Sequence, residues 1–143
     1  MDDINYYVNV DWKQNRIGLL SSKDLNSSIE VATPPEFPGG VSGIWSPEHL
    51  LVASVVSCFM TTFLAIAENS KLNFKAFSCG SKGKLTKLES RFIMTEVELS
   101  PHLQLLTESD KEKAERIINK SETACLISNS IKSNVSLKPH IFV

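Results

Sequence analysis

The sequence predicts an α+β fold, and three observations predict it. Strand-like segments fill the first third, one long apolar helix follows a loop rich in proline and glycine, and a hairpin, an amphipathic helix and a last strand complete the chain. With 143 residues, 42% hydrophobic and 22% charged, the chain has the length and apolar content of one packed domain over residues 1–143. No internal repeat and no linker divides it.

In chain order, Tyr6, Val8 and Val10 alternate with Tyr7, Asn9 and Asp11, which is the period of a strand. Gln14-Asn15-Arg16-Ile17-Gly18 is a turn into a second strand near Leu19–Ser21, and Ser28–Ala32 suits a third. Thr33-Pro34-Pro35-Glu36-Phe37-Pro38-Gly39-Gly40 has too many breakers for regular structure and is a loop. Ser46-Pro47-Glu48 opens a helix running to about Ser70: Ser46 caps, Pro47 fits the first helical position, and Glu48 faces the positive end. Leu50, Leu51, Val52, Val55, Val56, Phe59, Met60, Phe63, Leu64 and Ile66 cover nearly every face of that helix. A helix apolar all round calls for burial all round. A chain this small cannot provide that alone, so a homodimer with the helix at its centre is expected.

Residues 73–88 and 91–99 read as a hairpin, with Phe92, Met94, Glu96 and Glu98 on one face and Ile93, Thr95, Val97 and Leu99 on the other. Ser109 and Glu112 fit a capping box opening a second helix, whose buried stripe is Ala114, Ile117 and Ile118. A further short helix is expected between Glu122 and Ile131, and a closing strand from Val135 to Val143.

Composition removes several classes of function. The net charge of −1, with no cluster of Lys and Arg, disfavours nucleic acid and a polybasic membrane anchor. The apolar stretch Leu50–Ala67 approaches membrane-spanning length, but Ser54, Ser57, Thr61 and Thr62 interrupt it and anchoring residues are missing, so no membrane insertion is expected. The acidic start Met1-Asp2-Asp3 shows no secretory signal, so a cytoplasmic location and reduced thiols are expected.

Three cysteines carry the candidate chemistry. Cys58 lies mid-helix on a stripe of small polar residues with Ser54, Ser57 and Thr61; Cys125 follows the second helix; Cys79 sits in a strand and reads as structural. Burial as small hydrophobes accounts for any of them taken singly. No C-x-x-C is present, and His49, His102 and His140 are scattered, so neither a dithiol motif nor a metal site is expected. No glycine-rich phosphate loop appears. A cysteine hydrolase would need a histidine beside Cys58, and His49 is too far along the same helix.

The segment Ser46-Pro47-Glu48-His49-Leu50-Leu51-Val52-Ala53-Ser54-Val55-Val56-Ser57-Cys58 resembles the S/N-P-E-x-L-L-x-A-x-x-x-x-C stretch of the OsmC/Ohr family, the osmotically inducible and organic-hydroperoxide-resistance proteins. Ala124-Cys125-Leu126-Ile127-Ser128 is similar to that family's second-cysteine segment, although Leu126 stands where many members carry proline. The loop ending in Gly39-Gly40 and the order of elements match as well. The resemblance implies an OsmC-like fold of antiparallel sheets around a long buried central helix in an intertwined homodimer. It further implies a thiol peroxidase reducing organic hydroperoxides, with Cys58 as peroxidatic and Cys125 as resolving cysteine. Glu48 matches the motif glutamate, and Arg16 the arginine of the N-terminal hairpin. No bound cofactor is implied; an external dithiol or lipoyl-type reductant would restore the thiols.

Physical chemistry sets a condition on those roles. A thiolate attacks peroxide, a free thiol ionises at about 8.5, and burial raises that value. The helix terminus is too far from Cys58 to help. A cation is therefore expected from elsewhere, and Arg16 is favoured among the three arginines because Arg116 fits an i,i+4 pair with Glu112 and Arg91 a strand end. Ten helical residues span about 15 Å, so Glu48 cannot reach Cys58 of its own helix. It either caps the helix or serves the other subunit's thiol by orienting Arg16. A non-catalytic dimer that binds a hydrophobic ligand or senses redox state is the alternative.

Overall fold

The structure is a computed structural model describing residues 2–143. Two compact units make up the chain, the first ending at Leu50 and the second spanning Leu51–Val143.

The first unit holds β1 (Asn9–Gln14), β2 (Ile17–Ser21) and β3 (Ile29–Ala32), an antiparallel sheet in that order. β1 begins at Asn9 rather than near Tyr6. Its first rung is Asn9 with Ser21, and beyond Ser21 the chain turns through the Leu25 N–H to Ser22 carbonyl bond, so residues before Asn9 have no ladder to join. Asn15 takes φ 49° in the tight β1–β2 turn, a left-handed conformation that asparagine tolerates better than most residues. The proline-rich loop is closed by backbone bonds: Phe37 N–H to Pro34, Gly40 N–H to Phe37 and Val41 N–H to Thr33. Gly40 is required there, since a Cβ would overlap the Pro34 carbonyl.

Helix α1 (Pro47–Asn69) starts where the sequence places it. Buried Ser46 is the capping residue, its Oγ accepting the His49 N–H at 3.1 Å. Within the second unit one stripe of α1, Val55, Phe59, Phe63 and Ala67, is buried at four-residue spacing. That stripe packs with Val97, Leu99, Leu103 and Leu105 and with Ala114, Ile117 and Ile118 into one core. Phe63 stacks on Phe77 at 4.7 Å between ring centroids. Met60 and Leu64, on other faces, keep 39% and 40% of their surface, so this chain by itself does not bury the helix all round.

The second sheet is β4 (Phe74–Leu88), β5 (Arg91–Leu105), β6 (Asn134–Leu137) and β7 (His140–Phe142). β4 and β5 form the expected hairpin, but β5 runs on to Leu105 through Pro101. The register shift after Lys84 breaks the simple alternation, so Met94 leaves the face of Glu96 and Glu98 and its methyl lies over Gly83. β6 and β7 both pair parallel to β5, with helix α2 (Lys111–Ala124) in the crossover. The sheet is thus mixed, not purely antiparallel. The expected closing strand is two strands: Leu99 faces Leu137 and His102 faces His140, which brings Pro101 and Pro139 to one level where neither has an N–H to give.

The capping box at Ser109 does not form. Glu108–Asp110 make a short 3₁₀ turn, Asp110 occupies the N-cap position without a side-chain cap bond, and Ser109 contacts Thr107 instead. Nor is there a separate helix over 122–131. α2 absorbs its first residues, Cys125 turns extended, and a 3₁₀ turn at Ser128–Ser130 follows.

Candidate active site

The expected site residues fall into two groups, one in each unit. In the first unit Arg16 sits in the β1–β2 turn, and its carbonyl accepts the Thr33 N–H at 3.4 Å. Gly39 takes φ 78°, and a Cβ there would stand 3.1 Å from both Cγ and Nε of Arg16. The side chain of Arg16 therefore lies directly over a residue whose bareness makes room for it. Arg16, Thr33, Pro34, Phe37, Pro38, Pro47 and Glu48 line a pocket of about 410 Å³. Oε1 of Glu48 is buried and has no hydrogen-bond partner. None of the ion pairs among the described residues involves Arg16 or Glu48. An unpaired carboxylate oxygen away from water is costly, so Glu48 Oε1 stands as an open acceptor in the wall that Arg16 also lines.

In the second unit Cys58 and Cys125 come together. Cys58 is half-buried in α1 and Cys125 is fully buried. Burial pushes the Cys58 thiol up, but the Ile127 N–H, the Cys125 thiol, the Thr62 hydroxyl and the Leu126 N–H all donate toward its sulfur, and together they bring it below the ordinary thiol range. Thr62 Oγ1 stands 3.9 Å from Cys58 Sγ. Cys125 moves the other way. Burial raises it, the Ser128 hydroxyl and N–H offset only part of that, and proximity to Cys58 raises it again. Cys58 is thus the sulfur that ionises first, while Cys125 remains the protonated donor beside it.

Local sequence explains this arrangement. The end of α2 is fixed by the Cys125 N–H bonding the Glu122 carbonyl, after which Asn129 N–H bonds Cys125 and Ser130 N–H bonds Ile127. The amides of Leu126 and Ile127 open that tight turn, where N–H groups lack intrahelical partners and are free to point at a sulfur. Leucine at position 126 matters here, since a proline would contribute no N–H.

Within this unit the groups that lower the Cys58 thiol are neutral donors, where a cation was expected. Thr62 among them was not one of the expected site residues; position i+4 from Cys58 was the available signal, because residues so spaced share a helix face. Of the small polar stripe expected beside Cys58, Ser54 bonds Leu51 O, Ser57 bonds Ala53 O and Thr61 bonds Cys58 O. Those hydroxyls serve their own helix. His49 likewise bonds Ser46 Oγ through Nδ1 at 2.7 Å. Cys79 shares in neither group, and burial pushes its thiol up to about 11, against a single lowering bond from the Ser100 backbone.

Fold and site together define a small α+β protein built around two interacting thiols of opposite acidity. Residues 40–140 match the model of the family described as OsmC-like protein, and the chain belongs to that family. It is 27% identical over 143 residues to Bacillus subtilis "Uncharacterized protein YmaD", covering 96% of this chain and 93% of that protein. The organic hydroperoxide resistance protein OsmC of Legionella pneumophila superposes with a TM-score of 0.76 at 26% identity, covering 99% of this chain and 100% of that one. An OsmC-like protein of unknown function from Vibrio cholerae has the same fold, with a TM-score of 0.86 at 21% identity over 96% of this chain and 99% of that one. Members of this family with the same architecture are thus named for organic hydroperoxide resistance.

Proposed function

We propose that the chain is a thiol peroxidase that reduces organic hydroperoxides to alcohols in the response to oxidative stress. The observation that carries this reading is the pair itself: a Cys58 thiol held below its ordinary range, with a Cys125 thiol held above it among its hydrogen-bond donors. Cys58 thiolate attacks the outer peroxide oxygen, the O–O bond breaks, and the alkoxide leaves as alcohol after taking a proton. Cys58 becomes a sulfenic acid. Cys125 sulfur then displaces its hydroxyl as water and forms the Cys58–Cys125 disulfide, so that two thiols and one peroxide yield a disulfide, an alcohol and water. An external dithiol, of lipoyl type, returns both cysteines to the reduced state by exchange.

Arg16 and Glu48 enter through a homodimer, in which the pocket that they line meets the thiol of the other copy. Glu48 orients the guanidinium, and Arg16 steadies first the thiolate and then the departing alkoxide. Phe37, Pro34 and Pro38 give that pocket an apolar wall suited to an alkyl chain.

The test is thiol titration after one equivalent of cumene hydroperoxide. The reading expects loss of two thiols per chain with disulfide formation, and one fast turnover ending in a trapped sulfenic acid in Cys125→Ser. Full thiol retention in the wild type would overturn it and favour a non-catalytic hydrophobic-ligand binder.

A further inference from the structure

His102 and His140 lie far apart in sequence, but β5 and β7 place them directly opposite each other in the parallel ladder, so their side chains share one face of the sheet. Both are exposed. Their ring centroids are 5.3 Å apart and their planes tilted by 55°. Nδ1 of His102 stands 3.1 Å from the carbonyl of Ser100. Because a carbonyl only accepts, that contact places the proton of the neutral ring on Nδ1 and leaves the lone pair on Nε2, which is how backbone carbonyls prepare imidazoles for metals. His140 rests against Phe142, with ring centroids 5.2 Å apart, and no group among the described residues bonds either of its nitrogens.

We infer that His102 and His140 form a two-histidine site for a divalent zinc-class ion, a site independent of the cysteine pair and of the proposed peroxidase activity. The facing register and the unbonded ring nitrogens carry the argument, and the separation allows it. A zinc–nitrogen bond of about 2.0–2.1 Å puts the metal about 3.2 Å from each ring centroid, and a tetrahedral angle then sets the two centroids about 5.2 Å apart. A right-angled pair of positions, as in square-planar copper, would need about 4.5 Å. The observed 5.3 Å leaves room for the tetrahedral case. Among the described residues no group of three His, Cys, Asp or Glu is placed to hold a metal, so water completes the shell and the ion exchanges readily. Both rings are exposed, so solvent reaches the space between them.

The experiment titrates the intact protein with Zn²⁺ alone and follows the ring nitrogens of its three histidines by long-range ¹H–¹⁵N spectra. This readout sees the imidazoles whatever the thiols bind, and His49 serves as the internal control. One ring nitrogen of His102 and one of His140 should shift along a single saturating curve while His49 stays in place. His102→Gln and His140→Gln, both at exposed positions, should each weaken Zn²⁺ binding at the remaining histidine by about 10–100-fold, at least the loss that an outer-shell partner commands. Rings that do not move with Zn²⁺, or that move with unchanged affinity when the other histidine is gone, would overturn the inference. So would His49 moving along the same curve.

Discussion

Replacing Thr62 by valine keeps the shape of the side chain and removes one of the donors around Cys58. A hydrogen bond to a charged group contributes about 1.5–3 kcal/mol at good geometry. At 3.9 Å the Thr62 contact is at the long end even for sulfur, so about 1 kcal/mol is the reasonable share. At 1.36 kcal/mol per unit, that raises the Cys58 pKa by about 0.7 and cuts the thiolate fraction about fivefold at pH well below it. The sign follows from the chemistry: the donor favours the anion, so losing it favours the thiol. The assay is the rate of iodoacetamide alkylation against pH, read on the Cys58 peptide by mass spectrometry so that Cys79 and Cys125 do not contribute. Thr62→Ser, which keeps the hydroxyl, should retain the wild-type midpoint. A Thr62→Val midpoint that is unchanged or lower would refute the assignment of Thr62 as a thiolate donor.

Two further outcomes follow from the same structure. Gly40→Ala should lower stability by about 1–3 kcal/mol in urea titrations, because its Cβ overlaps a backbone oxygen that cannot swing aside, and should depress peroxide turnover by displacing the loop under Arg16. Cys79, whose thiol is raised from 9.0 to about 11, makes stability depend on alkali. The unfolded thiol ionises first, so the benefit of burying it neutral is complete below pH about 9 and is lost as pH climbs toward about 11; urea midpoints of Cys79→Ala should fall less over that range.

Where side chains announce local structure, the sequence was readable. Ser46-Pro47-Glu48 marks the start of α1 correctly because a capping hydroxyl, a residue without N–H and an acid each suit one place at a helix N-terminus. The hairpin over β4 and β5 follows from alternation for the same reason. Ser109 misled because Asp110 stands next to it and the chain takes a 3₁₀ turn first. The parallel pairing of β6 and β7 with β5 was hidden, since strand alternation says nothing about direction. At the site, Cys58 and Cys125 were identified by resemblance to a family and not by their spacing. The amides of Leu126 and Ile127 were out of reach of any sequence argument, because every residue but proline has one and only the fold decides where it points.

The five residues from Cys125 to Asn129 supply two things at once: N–H groups that lower the Cys58 thiol, and the sulfur that the proposed cycle joins to it. On the proposed cycle, closing Cys125 Sγ onto Cys58 to bonding distance acts on the same segment that aims those amides. The first step and the second are therefore coupled within one short stretch of backbone. A substitution that stiffens it should sharpen the attack on peroxide while slowing closure of the disulfide, and one that loosens it should do the reverse.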